Sequence, residues 1–324
     1  MIIRRVFLYS VIACFISTSL YAAASSWTTW VAHVREEALA QGIAAETFDA
    51  AFRNVHEPSR QIKSFAKSQP EHRLSYYKYR NSRVDSYRIA IGRKKLKEYH
   101  ELLEDIGQKY QVDPCFVLAF WGLETSYGSY MGNFPVIQSL ATLAYDSNRP
   151  DFFKQELFIA LKILNDGHVS LEHFKGEWAG ASGHPQFLPS SWVKYAVDFD
   201  GDGHKDIWDS KPDALASIAN YMKKNGWQAE EPWAVFVRLP PQFDISLEGK
   251  RTIKPVREWQ ALGVRTEDGQ ELPYPDLMAS IIQPNGGPVF LAYPNYKMIL
   301  RYNNSIYYAG AIGYLADSIC QRKT

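Results

Sequence analysis

The 324-residue chain carries 36 Lys and Arg against 35 Asp and Glu, a formal charge of +1, and 46% of it is hydrophobic. That balance excludes a long disordered tail, which needs low hydrophobicity and high net charge, and an electrostatic nucleic-acid binder, which needs a basic excess. Aromatic residues make up 14%, with 9 Trp and 20 Tyr, enough rings for a core and also for a saccharide groove, where rings stack on sugar faces.

Residues 1–24 read as a secretory signal. Arg4 and Arg5 precede an apolar run from Val6 to Leu20, and Ala22-Ala23-Ala24 offers a small-residue cleavage site. The run is shorter than the roughly 20 apolar residues that a membrane-spanning helix needs. Cleavage there removes two Arg and no acid, leaving 300 residues with a net charge of −1. Val11-Ile12-Ala13-Cys14 also loosely fits a bacterial lipoprotein signal, so acylation at Cys14 is the alternative. Beyond the signal, Cys115 and Cys320 allow one disulfide, tying the last helix to the middle of the chain, or two buried thiols.

Apolar spacing predicts helix from Trp27 to about Phe65, interrupted by the turn-prone His56-Glu57-Pro58-Ser59. Gln69-Pro70-Glu71-His72 breaks the pattern again, and residues 74–110 read as one or two long amphipathic helices. Their basic run at Arg93-Lys94-Lys95 suits a solvated face and would also tolerate an anionic polymer. Asp113-Pro114 is a helix start, with Asp as cap and Pro in the first turn. The segment that follows is almost wholly apolar as far as Glu124, so the helix is expected to be buried on most of its surface. Further helices are expected over 136–143 and 152–165, from Pro189 after a Gly-rich stretch at 176–183, and over 211–225 up to Gly226. Between Pro232 and about Pro294, β-branched runs and Pro- and Gly-rich turns predict a small strand-rich insert. Residues 302–317 return to helix.

Two segments carry recognisable chemistry. Glu124 has Phe120 and Trp121 one turn behind it and Tyr127 one turn ahead. An acid desolvated on one side has a raised pKa and suits general acid work near neutrality; the alternative is a helix-end Glu that reaches solvent. The loop from Asp198 to Asp209 places oxygen donors Asp198, Asp200, Asp202, Asp206 and Asp209 at positions 1, 3, 5, 9 and 12, Gly203 at position 6 and the His204 carbonyl at position 7. This is the spacing of an EF-hand calcium loop, with a shorter final ligand than the usual Glu. A lone loop without a partner fits a structural clip better than a calcium switch. A third segment, Gly180-Ala181-Ser182-Gly183-His184-Pro185-Gln186, reads by itself only as a tight helix-linking loop.

In combination and in this order, the motifs resemble the lytic murein transglycosylases of the B type, in their membrane-bound and soluble forms. The likeness is carried by Gln69-Pro70-Glu71, Tyr79, Arg83-Val84 through Gly92-Arg93, and Trp121-Gly-Leu-Glu124-Thr-Ser-Tyr-Gly128. It continues in Trp178-Ala-Gly-Ala, Gln186-Phe-Leu-Pro-Ser-Ser, the calcium loop and Ala219-Asn-Tyr, and ends with Tyr302-Asn303-Asn304-Ser305 and Leu315-Ala-Asp317.

The resemblance implies a mainly α fold with some β: a helical N-terminal arm over 25–109, a lysozyme-like catalytic core over 110–231, a β-rich insert over 232–300 and a returning C-terminal helix over 301–324. It implies cleavage of peptidoglycan glycan strands without water, leaving 1,6-anhydromuramyl ends, by a single catalytic acid matched by Glu124. Gln186, Tyr302, Asn303 and Tyr308 match cleft positions, and Tyr79 and Arg149 match saccharide or peptide contacts. A structural calcium ion and no organic cofactor are implied, in a monomer of the Gram-negative periplasm that works on glycan strands beside other wall-remodelling proteins. Glu177 stands where relatives carry a Ser that orients the catalytic acid, and Ser182, His184 and Pro185 also depart from the usual pattern. Those departures leave as one rival expectation a peptidoglycan-binding scaffold with impaired catalysis, and the nearest enzyme alternative is a lysozyme-type hydrolase.

Overall fold

The computed structural model describes residues 26–67 and 74–322. The signal, Cys14 and the Gln69–His72 motif lie outside the described residues. The N-terminal arm begins with α1 (Trp27–Ala40), α2 (Ala45–Phe52) and α3 (Arg60–Lys67), the last following the turn expected at His56–Ser59. Residues 74–110 form three helices rather than one or two: α4 (Tyr76–Arg83), α5 (Ser86–Glu98) and α6 (His100–Tyr110). The first break is made by Asp85, whose carboxylate accepts from the Arg88 amide at 2.7 Å and caps α5. The second falls at Tyr99, which leaves helical geometry while its ring packs edge-on against Trp121.

Helix α7 (Pro114–Thr125) starts as expected, with Asp113 accepting from the Cys115 amide at 2.9 Å and Pro114 in the first turn. Its residues from Cys115 to Gly122 are all buried, because helices surround it on every side. The antiparallel pair α8 (Val136–Tyr145) and α9 (Pro150–Asn165) follows. A two-stranded ribbon, β1 (Phe134–Pro135) with β2 (Lys175–Gly176), ties the start of α8 to the Gly-rich loop. Helices α10 (Pro189–Tyr195) and α11 (Lys211–Lys224) flank the acidic loop.

The strand-rich segment is a five-stranded antiparallel sheet in the order β4-β6-β7-β3-β5. Its strands are β3 (Ala234–Arg238), β4 (Lys254–Pro255), β5 (Arg265–Thr266), β6 (Met278–Ile282) and β7 (Val289–Ala292), with the short α12 (Val256–Ala261) packed beside them. Alternation divides the sheet's side chains between two cores. Ile281 and Leu291 face a small core around Trp259, whereas Ile282, Phe290 and Ala292 belong to the main core.

The chain returns through α13 (Pro294–Tyr302) and α14 (Ile306–Cys320). Helix is therefore interrupted between Tyr302 and Ile306, where a continuous run was expected. Asn303 leaves helical geometry, and the Ser305 hydroxyl accepts from the Tyr308 amide at 3.3 Å to start a new helix. Cys115 and Cys320 form a disulfide, with Cα atoms 6.1 Å apart, closing the alternative of two free thiols. The bond pins the start of α7 to the end of α14, so the two run antiparallel and bring Glu124 to Tyr308 at the other end.

Candidate active site

Glu124 sits in the last turn of α7, which ends abruptly. Ser126 and Tyr127 both take left-handed backbone geometry (φ 51° and 59°), uncommon for residues with a side chain. The turn is held by the Tyr127 hydroxyl, which donates to the Arg88 carbonyl at 3.0 Å, and by the edge-on contact of its ring with Trp121. Gly122 is required beneath it: a Cβ there would lie 2.5 Å from the Tyr127 ring. The Glu-Thr-Ser-Tyr sequence thus builds a helix end that fixes the direction of the acid.

The Tyr308 hydroxyl donates to Glu124 Oε1 at 2.5 Å. Tyr308 is buried, and its ring lies nearly parallel to that of Tyr302 at 6.5 Å. Both rings pack on Phe120. Although Glu124 is only half-buried, it is crowded by enough protein for loss of water to dominate, and its carboxyl is pushed up to about 7. The Tyr308 hydrogen bond and the Arg83 charge pull it down, and Glu177 adds a smaller upward push. Burial also raises the Glu177 carboxyl, again opposed by Arg83. Arg83, at the end of α4, therefore serves as the counter-charge to both acids. Its only sequence signal is its place in a quoted motif, without a role.

The loop over 182–188 is tied to this assembly at each unusual position. Trp121 Nε1 donates to His184 Nδ1 at 3.0 Å, and burial lowers the imidazole to about 4, so it stays neutral and accepts. The Thr125 hydroxyl reaches the His184 carbonyl at 3.3 Å, the Tyr302 hydroxyl donates to the Pro185 carbonyl, and Trp208 Nε1 donates to the Ser182 hydroxyl at 3.2 Å. Gln186 has φ 51° and donates from Nε2 to the Met131 and Gly183 carbonyls at 3.0 and 2.9 Å, leaving its buried Oε1 without a partner.

Tyr79 packs against Tyr307, next to Tyr308 in sequence, and with Asn303 lines a cavity beside this cluster. Arg149 is exposed between α8 and α9, and its guanidinium stacks 3.9 Å over the Phe152 ring.

In the acidic loop, carboxylate oxygens of Asp198, Asp200 and Asp202 lie within 4.8 Å of one another. Backbone amides brace these acids throughout: Asp198 accepts from the Gly201 and Gly203 amides at 2.7 and 2.9 Å, Asp202 from the His204 amide at 2.8 Å, and Asp206 from the Trp208 and Asp209 amides at 2.8 and 2.9 Å, while exposed Asp209 faces His173 at 3.3 Å. Three of the five acids converge. Asp213 has the role that the sequence reading missed: fully buried, it accepts from the Phe199 and Asp206 amides at 2.7 and 2.8 Å and holds the loop closed. Its signal was Ser210-x-x-Asp213, a capping pattern at the start of α11, whose Ser210 hydroxyl accepts from the Asp213 amide.

A mainly helical molecule with a raised carboxyl held by a tyrosine at a helix end agrees with comparison to known proteins in defining a lytic transglycosylase. Residues 26–317 match the family described as Transglycosylase SLT domain. The chain belongs to this family, in its lytic murein transglycosylase B branch. It is 30% identical over 246 residues to the membrane-bound lytic murein transglycosylase B of Escherichia coli (strain K12), covering 76% of this chain and 67% of that one. SltB3 from Pseudomonas aeruginosa, solved in complex with NAG-anhNAM-pentapeptide, is 46% identical with a TM-score of 0.88, over 91% of this chain and 80% of that one. The Escherichia coli lytic transglycosylase Slt35, solved in complex with calcium, is 27% identical with a TM-score of 0.79, over 90% of this chain and 92% of that one.

Proposed function

We propose that Glu124 is the sole acid and base in cleaving the β-1,4 bond between N-acetylmuramic acid and N-acetylglucosamine in peptidoglycan, without water. Glu124 protonates the leaving oxygen as the C1–O4 bond breaks, and the substrate's N-acetyl group stabilises the positive centre. The carboxylate then takes the proton of the C6 hydroxyl as O6 bonds to C1, giving a 1,6-anhydro end and restoring the acid. The observation that carries this reading is the Glu124 carboxyl itself, raised to about 7 and oriented by Tyr308, since an acid with a pKa near working pH can both give and recover a proton. Tyr302, Tyr79, Asn303 and Gln186 form the cleft wall around it. The half-buried Glu177 carboxyl favours one second reading, because ordinary glycosidases use paired carboxylates.

Digestion of purified murein sacculi tests both readings. The expected products are anhydromuropeptides, and Glu124→Gln is expected to lose at least about 100-fold in rate, the usual range for removing a general acid. Reducing ends that incorporate solvent oxygen would instead assign a hydrolase, with Glu177 as the second group. Binding to sacculi with no turnover would leave a scaffold.

The acidic loop fits calcium in part: its donors are all oxygen, and three carboxylates converge. Asp198, Asp200, Asp202 and the His204 carbonyl would hold the ion, which would neutralise their mutual repulsion and clip α10 to α11. The basic, apolar and small-residue pattern of residues 1–24 supports export to the periplasm. Among the described residues, no helix is long and apolar enough to cross a membrane.

A further inference from the structure

The cavity beside the Glu124 cluster has a volume of about 620 Å³, within the range of small-molecule sites. One wall comes from the helical core, through Tyr79 of α4 and Asn303 and Asn304 between α13 and α14. The opposite wall comes from the β insert, through Lys250 and Asn285. The insert is stitched to the core at this point: the Tyr76 amide donates to the Asn285 carbonyl at 2.8 Å, and Lys250 Nζ donates to Asn304 Oδ1 at 2.8 Å. The Gly249 amide donates to the Ile281 carbonyl at 2.8 Å, fixing the base of the Lys250 loop on β6.

Among the described residues, Lys250 is the only charged side chain in the cavity wall, and no carboxylate among them pairs with it. The nearby Glu248 turns away, its Oε1 accepting from the Gln283 amide at 3.1 Å. Rings, amides and hydroxyls in the rest of the wall suit an uncharged N-acetyl sugar. An unpaired ammonium among them suits a carboxylate attached to that sugar, because a charge-assisted hydrogen bond is the stronger kind and Lys has donors to spare beyond Asn304.

We propose that Lys250 is a specificity-determining residue that binds a carboxylate of the peptidoglycan substrate in this cavity. The proposal rests on the function given above. Its chemistry has two sources: the lactyl carboxylate of muramic acid, free only where the peptide has been removed, and the carboxylates of the peptide stem.

The test is calorimetric binding to the full chain, which does not depend on turnover. Its probes are peptide-bearing disaccharide fragments, the same fragments with the peptide hydrolysed off, and uncharged chitotetraose. Lys250→Gln is expected to weaken binding of one or both carboxylated probes about tenfold, one charge-assisted hydrogen bond's worth, and to leave chitotetraose within about twofold. Lys250→Arg should retain most of the affinity, and Lys250→Glu should lose more than Lys250→Gln. The probe that responds identifies the carboxylate. Equal weakening of all three probes would mean that Lys250 only braces Asn304, and unchanged binding in both Lys250→Gln and Lys250→Glu would remove any role; either overturns the proposal. Wild-type protein that discriminates through Lys250 yet releases no anhydromuropeptides would overturn the reaction and leave the site standing.

Discussion

The protonation of Glu124 is decided by opposing effects of known direction. Burial raises the carboxyl and wins, while the Tyr308 hydroxyl, donating at 2.5 Å, stabilises the ionised form and restrains the rise to about 7. An acid that must be protonated to act loses activity as pH climbs through its pKa, so kcat/KM is expected to fall above about pH 7. Tyr308→Phe removes the donor and leaves the ring. The pKa then rises, so the alkaline limb of the pH–rate profile should move upward while the rate at the optimum drops about 10- to 100-fold as orientation is lost. A downward shift, or an unmoved limb, would show that Tyr308 does not set the proton affinity of Glu124. The acid was legible in the sequence because a carboxylate ending an apolar helix is a local anomaly. The contacts that tune it were less so: Tyr308 lies 184 positions away and entered only through family likeness, and Arg83 looks like any basic residue at a helix end.

At the scale of elements, sequence signals succeeded where they were local and failed where tertiary contacts chose among local options. The start of α7 was readable from Asp113-Pro114, and the insert from its change to β-branched runs. The breaks at Asp85 and Tyr99 were hidden within a continuous amphipathic pattern, since a cap and a ring docking on Trp121 leave little trace in periodicity. The acidic loop shows both outcomes. Its spacing announced a cation site, and the carboxylates of Asp198, Asp200 and Asp202 converge there, whereas Asp209 faces His173. With three convergent carboxylates the loop should bind calcium and stabilise the α10–α11 unit. Calcium at 100 times its Kd should stabilise the protein by about 2.7 kcal/mol, read as a rise in melting temperature that a chelator reverses and that Asp200→Ala lacks. Identical melting with calcium and with chelator would refute the site.

Across the whole molecule, the site depends on how the β insert seats on the helical core. The junction is Trp233, 4% exposed, whose Nε1 donates to Asp317 Oδ2 at 2.8 Å and whose ring lies flat against Tyr296 at 6.0 Å and close to Phe290 at 5.6 Å. The ring rests on Gly313 of α14, where an added Cβ would come within 2.4 Å of its atoms. Tyr296, Phe290 and the Asp317 hydrogen bond hold the indole on three sides and a cavity of about 460 Å³ borders it on another, so Gly313→Ala is expected to displace the ring and disturb how the insert seats on α14. Overpacking of this kind costs about 1–3 kcal/mol, and it should appear as a lower denaturant midpoint at unchanged m-value. Because α14 also carries Tyr308 and the insert carries Lys250, the same variant should weaken binding of carboxylated fragments more than that of chitotetraose, an effect that general destabilisation would not produce. A Gly313→Ala protein with the wild-type midpoint would mean that the insert can re-seat on the core, and that the Trp233 contact does not set the spacing of the two cavity walls.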